Sequence, residues 1–205
     1  MNSLQRLLSL IKIETPRLIL RPVSPGDEIE INQAINRSLD SLQRWMPWST
    51  DPSLAATALF IKNAVDNWQG VNAFPLPLAV ILKKSNTIIA ASGFNERSIP
   101  SVPYYETGYW IDSQHEGKGY VTEYVTAITQ YALTDLRASR VQIRTVADNK
   151  KSIAVALRCG YTQEGILRNE NINSLTNKPV DSVIFSCCHV NDLNKLSIQA
   201  SHKRR

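Results

Sequence analysis

The segment YWIDSQHEGKGYVTE, residues 109–123, constrains the fold more than any other part of this 205-residue chain. A strand pattern ends at Ile111, two glycines bracket Lys118, and an apolar periodicity typical of a helix follows. Gly117 and Gly119 permit positive φ angles and let another molecule approach the backbone closely. Consecutive amides at a helix N-terminus bind anions such as a pyrophosphate. The segment therefore indicates a strand, a loop and a helix, in which the loop is either an anion cradle or a tight turn.

Two common nucleotide-binding loops do not fit this segment. A dinucleotide-binding fingerprint needs a third glycine at the position of Thr122. A Walker-type phosphate loop needs Ser or Thr directly after Lys118, where Gly119 stands. The remaining pattern is a strand, a Gln-x-x-Gly-x-Gly loop that begins at Gln114, and a helix. Taken alone, this pattern fits an anion cradle and a tight turn equally well.

Strand and helix patterns alternate along the rest of the chain. Predicted helices begin at Ser24, with Pro25 in the first turn, at Asp51, directly after Gly119 and at Asn149. Predicted strands span 17–23, 76–82, 87–94, 104–111, 140–146, 162–168 and 180–189. The sequence has no repeat, low-complexity run or linker, so one mixed α/β domain is expected.

Composition and charge narrow the classes of function. The formal net charge is +5, of which Lys203, Arg204 and Arg205 contribute three, so the rest is close to neutral and no nucleic-acid partner is expected. Because there is no run of about 18 apolar residues, no membrane partner is expected either. The N-terminal residues lack a secretory cleavage pattern, and the cysteines and histidines lack disulfide or metal-ligand spacing. These features predict a reduced, cytoplasmic protein without a metal.

A second set of residues lies in NKKSIAVALRCGYTQEG, residues 149–165. Asn149 is placed as a helix cap, Ser152 follows one turn later, and Gly160 ends the helix. Together with the glycine loop, this order resembles the GNAT acetyltransferase superfamily, whose coenzyme A loop reads Gln/Arg-x-x-Gly-x-Gly/Ala. The closer resemblance, over residues 14 to about 190, is to the Rim-type N-terminal acetyltransferases of ribosomal proteins. It is carried by ETPRLILRP, LQRWMPW at 42–48, ETGYWI and NxxS…LRxGYxxEG.

The resemblance implies a fold, a domain and a co-substrate. The fold would be the GNAT fold, a mixed and twisted seven-stranded sheet flanked by about four helices. The acetyltransferase domain would span 14–192, between an N-terminal lead-in (1–13, with an amphipathic Leu4–Ile11) and a basic C-terminal tail (193–205). The co-substrate would be acetyl-CoA, without a metal. The coenzyme-binding residues would be Trp110, Ile111, Gln114, Glu116, Gly117, Lys118, Gly119, Tyr120, Val121, Asn149 and Ser152.

The resemblance also assigns parts of the coenzyme to these residues. Main-chain amides of 116–121 would hold the pyrophosphate, and the backbone of 110–111 would pair with the pantetheine arm as an added strand does. In the superfamily that arm lies where strand 104–111 separates from its parallel neighbour, 140–146. Asn149 would hydrogen-bond the arm. Three nearby lysines would either contact a phosphate or remain solvated: Lys118, Lys150 and Lys151.

Acetyl transfer to an amine needs a base for the amine proton and an acid for the departing thiolate. Many superfamily members carry a Tyr acid seven residues after the Asn, but Ala156 stands there. Rim-type enzymes use the Ser of the same helix, which makes Ser152 the candidate acid. The expected reaction is direct transfer in a ternary complex, because no cysteine lies near the loop and Cys159 ends a helix.

Two carboxylates compete for the role of base. Glu106 is the first candidate, since strand alternation places it on one face with Gly108 and Trp110. Glu170 is the rival, because a carboxylate just beyond the Glu-Gly turn also suits the Rim type. A shift of one residue would put Asn171 at that position instead.

Two tryptophans, Trp45 and Trp48, flank Met46-Pro47 between the first two predicted helices. They are either a hydrophobic plug or a wall of the acceptor site, where aromatic faces hold an amine or a peptide end.

The expected acceptor is the N-terminal α-amine of a protein or peptide that begins with a small residue. An α-amine has a pKa of about 7.7–8.0 and a lysine side chain about 10.4, so the α-amine is the easier acceptor for a modest base. The preference for a small residue rests on the resemblance. A small-molecule amine (a polyamine, an amino acid or an aminoglycoside) and a non-catalytic acetyl-CoA-binding module remain alternatives. Both a monomer and a homodimer are open.

Overall fold

The structure, a computed structural model, describes residues 11–68 and 74–202. This part of the chain has nine strands and five α-helices. The strands are β1 (Ile11–Glu14), β2 (Leu18–Pro22), β3 (Leu76–Leu82), β4 (Thr87–Phe94), β5 (Tyr104–Ile111), β6 (Arg140–Val146), β7 (Thr162–Ile172), β8 (Pro179–Cys187) and β9 (Gln199–His202). The helices are α1 (Glu28–Arg37), α2 (Leu39–Trp45), α3 (Leu54–Trp68), α4 (Tyr120–Thr134) and α5 (Lys150–Cys159).

The strands form one mixed sheet in the order β7-β8-β6-β5-β4-β3-β2-β1-β9. Neighbours are antiparallel except β5 and β6, which are parallel. The predicted α/β class is confirmed, with nine strands among the described residues instead of seven. The two additional strands, β1 and β9, have four residues each and pair with each other near the N-terminal edge. Runs this short carry too little alternation to be recognised in a sequence.

The first helix starts later than the sequence predicts. Helix α1 begins at Glu28 rather than Ser24, because residues 24–27 form a turn in which the Asp27 carboxylate accepts a hydrogen bond from the Ser24 main-chain N–H (2.8 Å). Arg21 donates two hydrogen bonds to the same carboxylate, at 2.7 and 2.8 Å. Helix α2 lies outside the predicted helices and raises their number from about four to five.

Helix α4 packs its apolar face against the sheet. Val125, Ile128 and Ala132 are fully buried, as the helical spacing predicts, whereas Val121 at the N-terminal end is only partly buried. Burying each large apolar side chain stabilises the fold by about 1.5–3 kcal/mol. The helix that follows the glycine loop is therefore held firmly, and its N-terminus has a fixed place at the sheet.

Parts of the predicted termini lie outside the described residues: most of the Leu4–Ile11 lead-in, and Lys203, Arg204 and Arg205. Within the segment 193–205, strand β9 pairs with β1. The predicted domain bounds stay a prediction. In the part of the chain that the structure describes, no helix has the length and apolar character needed to cross a membrane.

Candidate active site

A split between two parallel strands opens a cavity of about 1030 Å³. Strands β5 and β6 pair only from Tyr104 opposite Arg140 to Glu106 opposite Gln142. Beyond that point β5 stays paired with β4, and β6 with β8. The main-chain groups of β5 that point toward β6 therefore have no strand partner among the described residues. An extended ligand can pair with such a free edge.

The glycine loop borders this cavity. Gly117 and Gly119 have φ angles of 73° and 76°, and Gly119 is the N-cap of α4. A Cβ atom on Gly117 would meet no heavy atom within 4 Å, so the left-handed backbone rather than crowding requires glycine there. Both glycines and Tyr120 line the cavity. The main chain at the start of α4 thus faces a space that suits an anion.

Most of the predicted coenzyme-binding residues line the cavity, namely Trp110, Ile111, Glu116, Gly117, Gly119, Tyr120, Val121, Asn149 and Ser152. Gln114 and Lys118 lie beside it, where the Lys118 ammonium donates to the Gln114 carbonyl oxygen (2.7 Å). Lys151 forms an ion pair with Glu116 (2.7 Å), and Lys150 donates to a main-chain carbonyl. All three lysines therefore have local partners in the protein.

Helix α5 brings Asn149 and Ser152 to the cavity. The Asn149 side chain accepts a hydrogen bond from the Ser152 main-chain N–H (3.1 Å), which makes Asn149 the helix cap. The Ser152 hydroxyl lies 2.9 Å from the phenolic oxygen of Tyr109, which also donates to the Ser152 carbonyl oxygen (3.2 Å). Burial raises the pKa of Tyr109 well above its ordinary value, so the phenol is neutral at neutral pH. Sequence reasoning missed Tyr109, since alternation alone does not reveal a contact with α5.

Glu106 is 2% exposed and lies in the sheet. Its carboxylate accepts hydrogen bonds from the side chains of Asn95 (3.0 Å), Tyr104 (2.8 Å) and Gln142 (2.7 Å). Two guanidinium groups, of Arg97 and Arg144, also lie 3.7 Å from its oxygens. Glu106 is not among the residues that line the cavity, although Asn95 and Arg144 are.

A bulge in β7 determines the register around Glu170. Leu167 lies opposite Ser182, and Asn171 lies opposite Val180, so β7 has two more residues than β8 between these pairs. Asn171 consequently faces the cavity, and Glu170 lies within the bulge. No pattern in the sequence marks this bulge, which explains the ambiguity of one residue.

Glu170 joins the same charged cluster as Glu106. One of its oxygens is bonded to Arg144 and lies 3.8 Å from Arg97. Its other oxygen, Oε2, is buried and accepts no hydrogen bond from the described residues. Arg144 lines the cavity and was also missed by sequence reasoning, because its two carboxylate partners are distant along the chain.

The two tryptophans line different cavities. Trp45 lines the 1030 Å³ cavity, whereas Trp48 lines a neighbouring cavity of about 540 Å³. Trp48 is 49% exposed and its ring centroid is 6.1 Å from that of Trp110. A half-exposed ring does not act as a plug, so Trp48 fits a cavity wall better. The two cavities share five residues: Met46, Asn95, Gly108, Tyr109 and Trp110.

Cys159 has the environment of a core residue. Burial raises the pKa of its thiol to about 11, so the thiolate form that acts as a nucleophile is scarce at neutral pH. Among the described residues, no group of three or more His, Cys, Asp or Glu side chains could hold a metal ion.

Comparisons with known proteins agree on one family. Residues 17–162 match the model described as acetyltransferase (GNAT) domain. YdaF of Bacillus subtilis strain 168, a candidate ribosomal N-acetyltransferase by its name, is 26% identical over 152 residues, which are 74% of this chain and 81% of that protein. The ribosomal-protein-serine acetyltransferase of Escherichia coli K12 is 33% identical over 85 residues, 42% of this chain and 47% of that protein.

A solved structure extends the likeness to three dimensions. It is the microcin C7 self-immunity acetyltransferase MccE in complex with acetyl-CoA and AMP, with a TM-score of 0.76 and 27% identity. The match covers 85% of this chain and 93% of that one.

Proposed function

Because this chain belongs to the GNAT acetyltransferase family, we propose that it transfers the acetyl group of acetyl-CoA directly to a primary amine, most readily the N-terminal α-amine of a protein or peptide. One observation carries the proposal. The split between β5 and β6, the glycine loop and the capped N-terminus of α5 all border one cavity. A free strand edge suits the amide-containing pantetheine arm, and the loop suits the pyrophosphate.

The coenzyme would lie along main chain rather than along charged side chains. The amides of 117–121 would face the pyrophosphate, since the predicted Glu116 N–H instead donates to the Ser113 carbonyl oxygen (3.3 Å). The edge of β5 at 110–111 would pair with pantetheine. Asn149 would hydrogen-bond the arm with the part of its side chain that does not cap α5. Gln114 and Lys118 would support the loop from beside the cavity, as their mutual hydrogen bond suggests.

Ser152 would act on the departing thiolate. A hydroxyl near the sulfur stabilises negative charge as that charge develops, which lowers the barrier more than it strengthens ground-state binding. Tyr109, 2.9 Å from the Ser152 hydroxyl oxygen, would turn its single O–H from the Ser152 carbonyl oxygen to that hydroxyl oxygen. The Ser152 proton would then be free to point at the sulfur.

Glu170 is the stronger of the two candidates for the base. A carboxylate offers roughly four acceptor positions, and three of those on Glu106 are taken by Asn95, Tyr104 and Gln142. Glu170, which like Glu106 is not among the residues that line the cavity, has a buried oxygen without such a partner among the described residues, and its chain neighbour Asn171 lines the cavity. Glu106 would then fix Arg144 and Asn95 in place rather than accept the amine proton.

Two arguments favour an α-amine as the acceptor. The lower pKa of an α-amine makes it about 3.5 kcal/mol easier to deprotonate than lysine. The names of YdaF and of the Escherichia coli relative describe acetyltransferases of ribosomal proteins. A ribosomal protein as substrate would also place this enzyme in the cytoplasm, where acetyl-CoA is available.

A small-molecule amine is the second candidate, and the 540 Å³ cavity is the reason to keep it. Apolar side chains such as Trp48, Phe60 and Phe94 surround this space, which could enclose a compact acceptor. The solved structure of the similar enzyme MccE contains AMP besides acetyl-CoA.

A thiol-release assay separates the candidates. The purified chain and acetyl-CoA are incubated with peptides that begin with Ser, Ala or Gly, and in parallel with polyamines, amino acids and aminoglycosides. Turnover restricted to peptides is the expected result. Turnover only on small amines would replace the peptide proposal. Acetyl-CoA binding by calorimetry without turnover on any amine would leave a coenzyme-binding module.

A further inference from the structure

Arg17, directly before β2, contacts the glycine loop from the side away from the cavity. Its Nη1 donates to the carbonyl oxygen of Lys118 (2.9 Å), and its guanidinium carbon lies 4.4 Å from the centroid of the Tyr120 ring. Its Nη2 would lie 3.5 Å from a Cβ atom built on Gly119. Gly119 and Tyr120 line the cavity, whereas Arg17 and Lys118 do not. One side chain thus holds the outer surface of the loop.

The contact with Arg17 also determines the orientation of the peptide bond between Lys118 and Gly119. In a planar trans peptide, the C=O of one residue and the N–H of the next point in opposite directions. Because Arg17 holds the Lys118 carbonyl outward, the N–H of Gly119 must point the other way, toward the cavity side of the loop. A loop with two glycines can otherwise rotate this peptide at little cost. A rotated peptide would present a carbonyl oxygen to an anion.

Arg17 is itself fixed by a buried carboxylate. Glu123, 8% exposed, accepts hydrogen bonds from the Arg17 main-chain N–H (3.0 Å) and from its Nε (2.5 Å). The hydrogen bond from Nε orients the guanidinium so that Nη1 points toward the Lys118 carbonyl oxygen. The Thr15 hydroxyl donates to the same carboxylate (2.6 Å). The turn between β1 and β2 and the first turn of α4 therefore hold the guanidinium in one orientation.

We infer that Arg17 is a positioning residue for the coenzyme pyrophosphate, which it serves by orienting the Gly119 amide rather than by touching the ligand. The inference rests on the proposed function, because it needs the loop to bind coenzyme A. Its rival is a simple charge effect, since the Arg17 side chain is 46% exposed and carries a positive charge near the loop. Lysine separates the two, because an ammonium keeps the charge but cannot reproduce the fixed fork of a guanidinium.

The experiment measures the dissociation constants of coenzyme A and of pantetheine, which has no phosphate. Arg17→Lys should weaken coenzyme A binding by about tenfold, as the loss of one hydrogen bond to a charged group implies, and should leave pantetheine binding within twofold. Arg21→Lys is the matched control, because Arg21 lies on β2, four residues after Arg17, and its guanidinium is likewise paired with a carboxylate, Asp27, away from the cavity. It should change neither constant.

Every other outcome has a meaning. Unchanged coenzyme A affinity in Arg17→Lys would show that charge suffices and would overturn the inference. An equal loss for both ligands would show general damage to the site and would overturn it as well. The double variant Arg17→Met/Glu123→Gln, which leaves no unpaired buried charge, should repeat the selective loss if Arg17→Lys folds poorly. Failure of the unaltered chain to bind coenzyme A would instead reject the proposed function.

Discussion

At one end of the site the glycine loop and the free edge of β5 present main-chain groups to the 1030 Å³ cavity, whereas at the other end side chains are presented by Arg144, by its ion-pair partner Glu170 and, in the neighbouring cavity, by Trp48. The first set depends on backbone conformation, namely two glycines with positive φ and a strand pair that ends early. The second depends on ion pairs and ring contacts between distant segments. Under the proposed function, the main-chain end binds the coenzyme, and side-chain substitutions at the other end can change which acceptor is used.

The largest expected effect lies at the side-chain end. Glu170→Gln should lower kcat on a peptide acceptor by about 100-fold or more, because a lost general base typically costs 10²–10⁴. Glu164→Gln is the matched control, since Glu164 is also a β7 glutamate paired with a β6 arginine, Arg140, but neither of its chain neighbours lines a cavity, whereas Asn171 beside Glu170 does. It should stay within twofold of the unaltered enzyme.

The Glu106→Gln variant tests whether Glu106 or Glu170 is the base. If Glu106 only fixes its neighbours, the variant should lose stability, because a glutamine amide faces donors that need an acceptor, a cost of about 1–3 kcal/mol. Thermal unfolding measures that loss. Glu106 would be the base if the Glu106→Gln enzyme is stable but has no turnover while the Glu170→Gln enzyme is active.

The next effect tests the main-chain end. Gly119→Val should weaken coenzyme A binding by about 30-fold, since a branched residue is strained at positive φ and alters the peptide that faces the anion. Gly26→Val carries a comparable strain at a φ of 102°, in a turn outside both cavities, and should bind coenzyme A normally. Calorimetry compares the two. Similar affinities in both variants would refute the cradle.

A smaller effect concerns Tyr109. Tyr109→Phe should lower kcat by about tenfold and leave the KM for acetyl-CoA nearly unchanged, because the lost hydrogen bond matters most as thiolate charge develops. In a Ser152→Ala background the same change should have almost no effect. Tyr161→Phe, which removes a buried phenol paired with Thr129, serves as control. Additive effects of Tyr109→Phe and Ser152→Ala would contradict the pairing.

The smallest effect separates the two ends directly. Trp48→Ala should raise the KM for the peptide about fivefold, a loss in the range of an aromatic contact, because Trp48 lines only the 540 Å³ cavity. The dissociation constant of coenzyme A should not change. Weaker coenzyme binding in this variant would show that the two ends are not independent.

The same contrast explains which parts could be predicted from the sequence. The strand 104–111, the glycine turn and the Asn149 cap depend on local patterns, and the structure places all three as expected. The short strand β1, the bulge beside Glu170 and the start of α1 depend on tertiary partners. Tyr109, Arg144 and Arg17 act through contacts with residues 26 to 106 positions away, which no spacing rule reveals.

The central claim is the acetylation of an α-amine. A synthetic peptide with a free N-terminal serine and one internal lysine, incubated with the purified chain and acetyl-CoA, gives the direct test by tandem mass spectrometry. The account predicts one acetyl group per peptide, located on the N-terminal nitrogen, and none on a control peptide whose N-terminus is already blocked. Acetylation mainly on the lysine, or equal labelling of the blocked peptide, would contradict it.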